Sequence, residues 1–406
     1  MKFPIRYSLR TVVYGLTLAC IAIGLPCAIL RYQGNRQRNI IARLEALGVG
    51  VSMQKEVKPS LWVAAARNWI DPDAFRKPNG VQFHETIPNL DEAVTLVCQL
   101  NDLREIMIDG ATLNDEHFRN ITKVESLTYL MATKGSCDSA TADCLVQNKN
   151  WVMLQISEAK FNDGQLAEIA KMKSLTHLTF NASQASASGL QSLEGCTSLQ
   201  DLYTYDPKHA GGIAKAVRKI PAIRAVILLN AQICADDLAE FGDIGALKWL
   251  QFYDCQIDSA KIDRLASAKS LTNIEFFLTP VSPAIIDAVR GYPRLTMLGL
   301  DSCVDDSNAE KLADLSALKM LALSNCNLTD EGLQQFAKIR TLKSLTLTED
   351  TRCTEAGIRR LQEKAPVRVS VGVGAKGLQY LPGGGVIDKS QQGASMRKQT
   401  NKKPRD

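Results

Sequence analysis

The chain has 406 residues, 45% hydrophobic and 22% charged, with a formal net charge of +5. That composition suits a folded protein and excludes a wholly disordered or low-complexity chain. Residues 1–50 hold seven Lys/Arg against one acid and residues 374–406 hold seven against two, so the middle is net acidic, the reverse of a nucleic-acid-binding body.

The first predicted element is Thr11 to Leu30, twenty residues without a charge. As a helix this reaches across a bilayer core, so residues 11–30 are read as a transmembrane helix behind a short basic tail, residues 1–10. A cleaved signal peptide is the rival reading. The apolar run is long for one, and no A-x-A site follows. Leu18-Ala19-Cys20 has a faint lipoprotein character, but Thr17 is a poor residue at its start. Three positive side chains precede the span and four follow closely. A short N-terminal tail rarely crosses, which sets the body outside the cytoplasm. Ile40, Ile41, Leu44 and Leu47 have helical spacing, so the helix is expected to continue beyond the membrane. Residues 31–80 are read as this juxtamembrane helix and an N-terminal cap, and 81–102 as an incomplete strand–helix unit.

From residue 103 the chain repeats. LREIMI (103), LTYLMA (127), WVMLQI (151), LTHLTF (175), LQDLYT (199), IRAVIL (223), LKWLQF (247), LTNIEF (271) and LTMLGL (295) begin 24 residues apart. LKMLAL (318) and LKSLTL (342) extend the series to eleven units ending near 366. Apolar residues at positions 4 and 6 alternate as one face of a strand requires. Position 9 is small or a thiol, as in Ala159, Cys255, Cys303 and Cys326, and position 12 is an N-cap type, as in Asn114, Asn162, Ser186, Asp258, Ser282 and Thr329. Apolar pairs such as Leu166/Ile169 and Leu333/Phe336 then form a helix face. Each unit is therefore a strand, a turn and a helix, and a unit buries its apolar face only by stacking on its neighbours. Wider helices on one side predict an α/β solenoid with its strands on the concave face. The second unit (127–150) and the fifth (199–222) are irregular. Asp206-Pro207 and Gly211-Gly212 predict poor helix in the fifth.

This pattern resembles leucine-rich repeats, and LKMLALSNCNLTDEGLQQFAKI is similar to their cysteine-containing variety. The N-terminal part adds a second likeness. Ser8-Leu9-Arg10-Thr11, Arg36-Gln37-Arg38, Leu44 to Gly48, Pro59 to Trp62, Trp69-Ile70-Asp71, Phe75 and Val81-Gln82-Phe83 follow one another in an order similar to a bacterial family of membrane-anchored leucine-rich-repeat proteins of unassigned function. The resemblance implies a short helical cap before the first repeat. At the other end, alternating Val367, Val369, Val371 and Val373 predict a capping strand over 367–373, and residues 374–406 are read as a disordered basic tail.

Chemical motifs are few. Gly372 to Gly377 is a literal G-x-G-x-x-G, but no helix pattern follows it, as a dinucleotide site requires. His177 and Asp201 share position 3 of adjacent strands and are expected to form a surface ion pair; a hydrolase would need a nucleophile beside them. There is no C-x-x-C among the eleven cysteines, which are expected to be mostly buried and reduced; a Cys137–Cys144 disulfide is the exception worth testing. No catalytic, cofactor or metal site is expected, nor a nucleic-acid partner.

Positions 3, 5 and 7 face away from the core. Across four strands position 7 reads Tyr205, Leu229, Tyr253 and Phe277, joined by Tyr203 and Ile227 at position 5 and Trp249 at position 3. An apolar patch with polar flanks marks an interaction site, and Tyr and Trp are hot-spot residues. These seven residues are the candidate partner-binding surface for a protein or peptide. The competing reading is a structural, self-associating protein in which the rings stack to stiffen the sheet.

Overall fold

Strand pairing follows the repeat directly, because a 24-residue step brings the same repeat position of each unit alongside the last. The computed structural model describes residues 9–54, 77–132, 139–348, 352–372, 378–380 and 386–388. Two units are resolved, Met1–Glu158 and Ala159–Asp406.

In the first unit, helix α1 spans Leu9–Ala46, 38 residues. Its last turns bury Ile40 and Leu44, and Leu47 and Val49 follow them inward. Strand β1 (Gly50–Met53) lies antiparallel to β2 (Pro78–His84). Strands β3 (Glu105–Asp109), β4 (Tyr129–Ala132) and β5 (Met153–Lys160) then add in parallel, with Ile106 opposite Leu130 and Leu130 opposite Leu154. The segment expected to be an incomplete unit thus supplies a full strand and the helix Leu90–Val97. Arg43 of α1 pairs with Glu92 of that helix at 2.6 Å. Among the described residues no helix is long and apolar enough to cross a membrane. Several side chains of residues 11–26 lie outside the described set.

In the second unit the parallel strands are β6 (His177–Asn181), β7 (Asp201–Tyr205), β8 (Ala225–Leu229), β10 (Trp249–Tyr253), β12 (Asn273–Phe277), β13 (Met297–Asp301), β14 (Met320–Ser324), β15 (Ser344–Leu347) and β16 (Arg368–Val371). The two-residue strands β9 (Gln232–Ile233) and β11 (Gln256–Ile257) pair with each other beyond the main strands. Position 4 supplies the inner row, with Leu202, Val226, Leu250, Ile274 and Leu298 all at 0% exposure. Position 6 adds Phe180, Leu228, Phe252 and Phe276, also fully buried. Phe252 stacks on Phe276 at 5.3 Å between centroids and meets Phe241 edge-on at 6.1 Å. Each repeat is thus a strand, a turn and, in most, a helix, with the strands paired in register.

Several predicted caps form. Asn114, Asn162 and Ser186 accept backbone N–H bonds from His117, Gln165 and Gly189 at 2.9, 3.0 and 3.1 Å. A carboxylate one repeat back clamps some of these caps. Asp163 accepts from Ser186 N and Oγ at 2.8 and 2.5 Å, Asp306 from Thr329 N and Oγ1 at 2.9 and 2.6 Å, and Asp330 from Thr354 N and Oγ1 at 2.7 and 2.6 Å. The Ser186 bonds hold the Asp163 carboxyl below its ordinary range. Two expected caps fail. The Ser282 hydroxyl donates to the Ser259 carbonyl instead, and Asp258 leads into a 3-10 helix, Ser259–Ser267, without a side-chain cap.

The poor helix expected in the fifth repeat is corrected. Ala210–Arg218 is a nine-residue α-helix. Its glycines serve packing rather than breaking the helix. A Cβ on Gly212 would stand 2.8 Å from the Ala187 carbonyl oxygen of the preceding repeat's helix. Gly212→Ala should therefore destabilise the protein by roughly 1–3 kcal/mol through overpacking, although alanine is the better helix former. Chemical denaturation of the variant measures this; a gain in stability would contradict it.

The C-terminal reading also changes in part. Strands β17 (Leu378–Tyr380) and β18 (Val386–Asp388) continue antiparallel from β16. The backbone of β17 thereby pairs with what would otherwise be the open edge of β16. Residues 389–406 lie outside the described residues, as does Val373 of the predicted capping strand. The glycine-rich motif leads past 373–377 into β17, not into a helix. In the second repeat, residues 133–138 are not described, which takes in Cys137 and its suggested disulfide; the helix Ser139–Leu145 follows.

Cys255, Cys303 and Cys326 are buried and free. Burial pushes the Cys255 thiol up to about 11 and also raises Cys303 and Cys326. All three should resist a bulky maleimide until the protein is unfolded, since the thiolate is the reactive form. Mass spectrometry after native labelling tests this, and rapid modification of any of them would contradict it.

Candidate partner-binding surface

The outward face of the second unit is set by strand alternation and exact register. Tyr203 lies opposite Ile227, Ile227 opposite Gln251, and Gln251 opposite Glu275. One row along, Tyr205, Leu229, Tyr253 and Phe277 follow in the same way, and Trp249 lies between Ala225 and Asn273. All seven candidate residues therefore fall on one face. They are not equally available. Tyr253 is 40% exposed, and Tyr203, Tyr205, Leu229, Trp249 and Phe277 are half-buried. Ile227 is the correction: it is 4% exposed although it faces outward. Its register neighbours Tyr203 and Gln251 carry longer side chains on either side of it, so it serves as the floor of the surface.

Leu278 extends the patch and is 54% exposed. Its backbone is left-handed, φ 47°, as is the equivalent residue of other repeats: Asp206, Asn230, Asp254, Ser302 and Asn325. Asx and Ser side chains tolerate that region, whereas a bulky apolar residue there is strained. The repeat alignment already showed a leucine where polar residues recur, and that was the signal that went unread.

Two carboxylates on this face were also missed. Glu275 is 2% exposed and Asp301 1%, and each has one oxygen, Oε1 and Oδ2, without a hydrogen bond. Burial raises the Glu275 pKa, and the nearby Trp249 indole offsets part of the rise. That indole nitrogen itself closes no bond of ordinary geometry. The other Asp301 oxygen, Oδ1, accepts from Ser302 Oγ at 3.0 Å and Asn325 Nδ2 at 2.9 Å. Desolvation raises the Tyr203 pKa, and the Asp201 and Glu275 charges add to it. Gly299 keeps room for the Glu275 stem, since a Cβ there would stand 3.3 Å from Glu275 Cβ and Cγ. The ladder between β12 and β13 runs for three pairs and stops at Glu275–Gly299, whereas β10 and β12 pair over five.

His177 and Asp201 form the expected ion pair at 2.6 Å. Thr176 Oγ1 lies 2.8 Å from His177 Nδ1, which completes a hydroxyl–imidazole–carboxylate chain. The same threonine position recurs as Thr272 and Thr296, whose hydroxyls each donate at 3.1 Å to a carbonyl one repeat back.

No family model matches the chain, and no curated protein does. Among solved structures it is similar to an internalin from Listeria monocytogenes at 16% identity and a TM-score of 0.49, over 77% of this chain and 94% of that one. It is similar to the plant peptide hormone receptor RGFR1, solved in complex with RGF2, at 12% identity and a TM-score of 0.42, over 73% of this chain and 49% of that one. TLR13, solved in a complex with ssRNA13, aligns at 14% identity and a TM-score of 0.45, over 73% of this chain and 50% of that one. The chain spans about half the length of these two receptors.

Proposed function

We propose that this protein is a membrane-anchored recognition module, not an enzyme, that holds a protein or peptide partner on the helix-free, concave face of its repeats. One observation carries the reading: Tyr205, Leu229, Tyr253 and Phe277 form an unbroken stripe, extended by the strained and exposed Leu278. A strained apolar side chain held in solvent costs stability without return to the fold, which fits a binding role. Outward positions 3, 5 and 7 of β6–β15 contain no Lys or Arg, which disfavours a nucleic-acid partner. Kinship with cysteine-containing repeats and with the bacterial membrane-anchored family belongs to the same proposal. A photo-crosslinking amino acid at position 253, in the native host, should capture one defined partner. The same group at Arg264, among the helices, should not. Capture of a second copy of this chain would favour the self-associating structural reading instead.

The anchor in this proposal is residues 11–30, as a single pass with the repeat body outside the cytoplasm. Val13, Leu18, Ile21, Leu25 and Ile29 are 48–67% exposed on α1, more apolar surface than an aqueous helix ordinarily presents. The full chain should sediment with membranes and require detergent for release. A chain beginning at Asn35 should remain in the supernatant and folded. One beginning at Val51 should melt lower, because it loses Ile40, Leu44, Leu47 and Val49 from the core. Full-length chain in the supernatant without detergent would remove the anchor from the proposal.

A further inference from the structure

With residues 11–30 in a membrane, a hollow of the first unit lies at its surface. Helix α1 runs on past the apolar stretch to Ala46. Buried Ile40 and Leu44 and the Arg43–Glu92 pair fix its far end to the repeats. Between that fastening and the apolar end lies a cavity of about 440 Å³. Ala28, Ile29, Tyr32 and Arg36 line one side of it, spaced as one face of a helix requires. Gln99 and Asn101 line the other. All six residues are exposed, so the hollow is open to an incoming group. Its chemistry is graded along the helix, from apolar Ala28 and Ile29 through amphipathic Tyr32 to cationic Arg36. Arg36 ends on a neutral acceptor, donating to Gln99 Oε1 at 3.3 Å, and no carboxylate lines the hollow. The adjoining hollow past Gln99 adds Lys123, again without a carboxylate. Residues 27–44 hold four arginines and no Asp or Glu. A group seated here meets apolar surface at its membrane end and positive charge at the other, the complement of an acyl chain joined to a phosphate. The lengths agree. Arg36 stands six residues beyond Leu30, roughly 9 Å along a helix. One leaflet's headgroup layer is about 5–8 Å deep, and an arginine stem reaches back over the difference.

We propose that this hollow binds one anionic phospholipid of the membrane that holds the anchor. Arg36 takes the phosphate, the Gln99 and Asn101 amides take the remaining headgroup oxygens, and an acyl chain lies along Ile29 and Ala28. A zwitterionic headgroup is disfavoured, because its ammonium finds no carboxylate on the lining. The inference rests on the anchor part of the proposed function and specifies which lipid the anchor keeps beside it.

The test is native mass spectrometry of the full chain in a neutral detergent micelle, titrated with phosphatidylglycerol or with phosphatidylcholine of the same acyl chains. A neutral micelle has no anionic surface, so the diffuse attraction that any arginine near a membrane feels is largely removed. Phosphatidylglycerol should be retained at least fivefold more tightly than phosphatidylcholine. Arg36→Gln, and separately Gln99→Glu, which places a carboxylate in the hollow, should each cut that retention at least threefold and leave phosphatidylcholine unchanged. Arg31→Gln removes the same charge from outside the lining and should have no effect. If Arg36→Gln fails to fold, Gln99→Glu still decides the question. Equal retention of the two lipids, or equal losses from Arg31→Gln and Arg36→Gln, overturns the site in favour of diffuse charge attraction. Displacement of the lipid by millimolar inorganic phosphate overturns the lipid as its occupant and leaves a free-phosphate site. Sedimentation of the full chain with membranes separates the two readings. A chain that sediments but does not discriminate between the lipids keeps its anchor and loses this site, whereas a chain that stays in the supernatant loses both.

Discussion

Leu250→Ala should cost roughly 2–5 kcal/mol of folding stability, while Tyr253→Ala three residues later should cost little. Leu250 is fully buried in the inner row of β10, between Val226 and Ile274. Truncation there removes apolar contacts and leaves a cavity that the flanking strands cannot close without breaking their own register. Tyr253 lies on the same strand but points outward and is 40% exposed. If the outward face binds a partner, Tyr253→Ala and Leu229→Ala should each weaken that binding by about 1–2 kcal/mol, the range of a moderate hot spot. Ile227→Ala should behave differently from both, with part of its effect in stability, because its side chain is buried beneath the surface. Thermal melts run beside binding to a captured partner distinguish these outcomes. A Tyr253→Ala melt lowered as far as that of Leu250→Ala would end the binding interpretation and leave the stacked-ring structural one.

Phe252→Ala should be more damaging, at roughly 3–5 kcal/mol. Its ring is fully buried, stacks on Phe276 and takes an edge contact from Phe241 of the neighbouring helix. One substitution therefore loosens contacts to both flanking repeats, to the helix of the one before and the strand of the one after. Phe276→Ala should cost a comparable amount. The double variant should lose less than the sum of the two, because the stacking contact is counted in both single losses. Strict additivity would show that the rings contribute by burial alone. Stacked repeats communicate through nearest neighbours, so the loss should appear as an early partial transition if the array does not melt as one.

Much of this was legible in the amino-acid sequence. The 24-residue step, the alternation of Leu250 and Phe252 against Tyr253, and the caps at Asn114, Asn162 and Ser186 are local patterns. Strand pleat and helix-end bonding require them at fixed spacings, and neither needs knowledge of a distant residue. The outward assignment of the stripe from Tyr205 to Phe277 followed from the same alternation. Tertiary structure decided what depends on neighbours a repeat away. Ile227 is buried between the longer side chains of Tyr203 and Gln251, each 24 residues distant. The glycines of the helix Ala210–Arg218 admit close neighbours, Ala187 of the preceding helix at Gly212 and Asp237 of the following one at Gly211, an approach that intrinsic propensity does not register. Glu275 is an ordinary polar residue of an outward strand position in the sequence; only packing beside Trp249 and Gly299 turns it into a desolvated carboxylate with a sealed oxygen that accepts no hydrogen bond. Alternation specifies the face a side chain points from, but its exposure to water is set by the volumes of the side chains that stacking places around it.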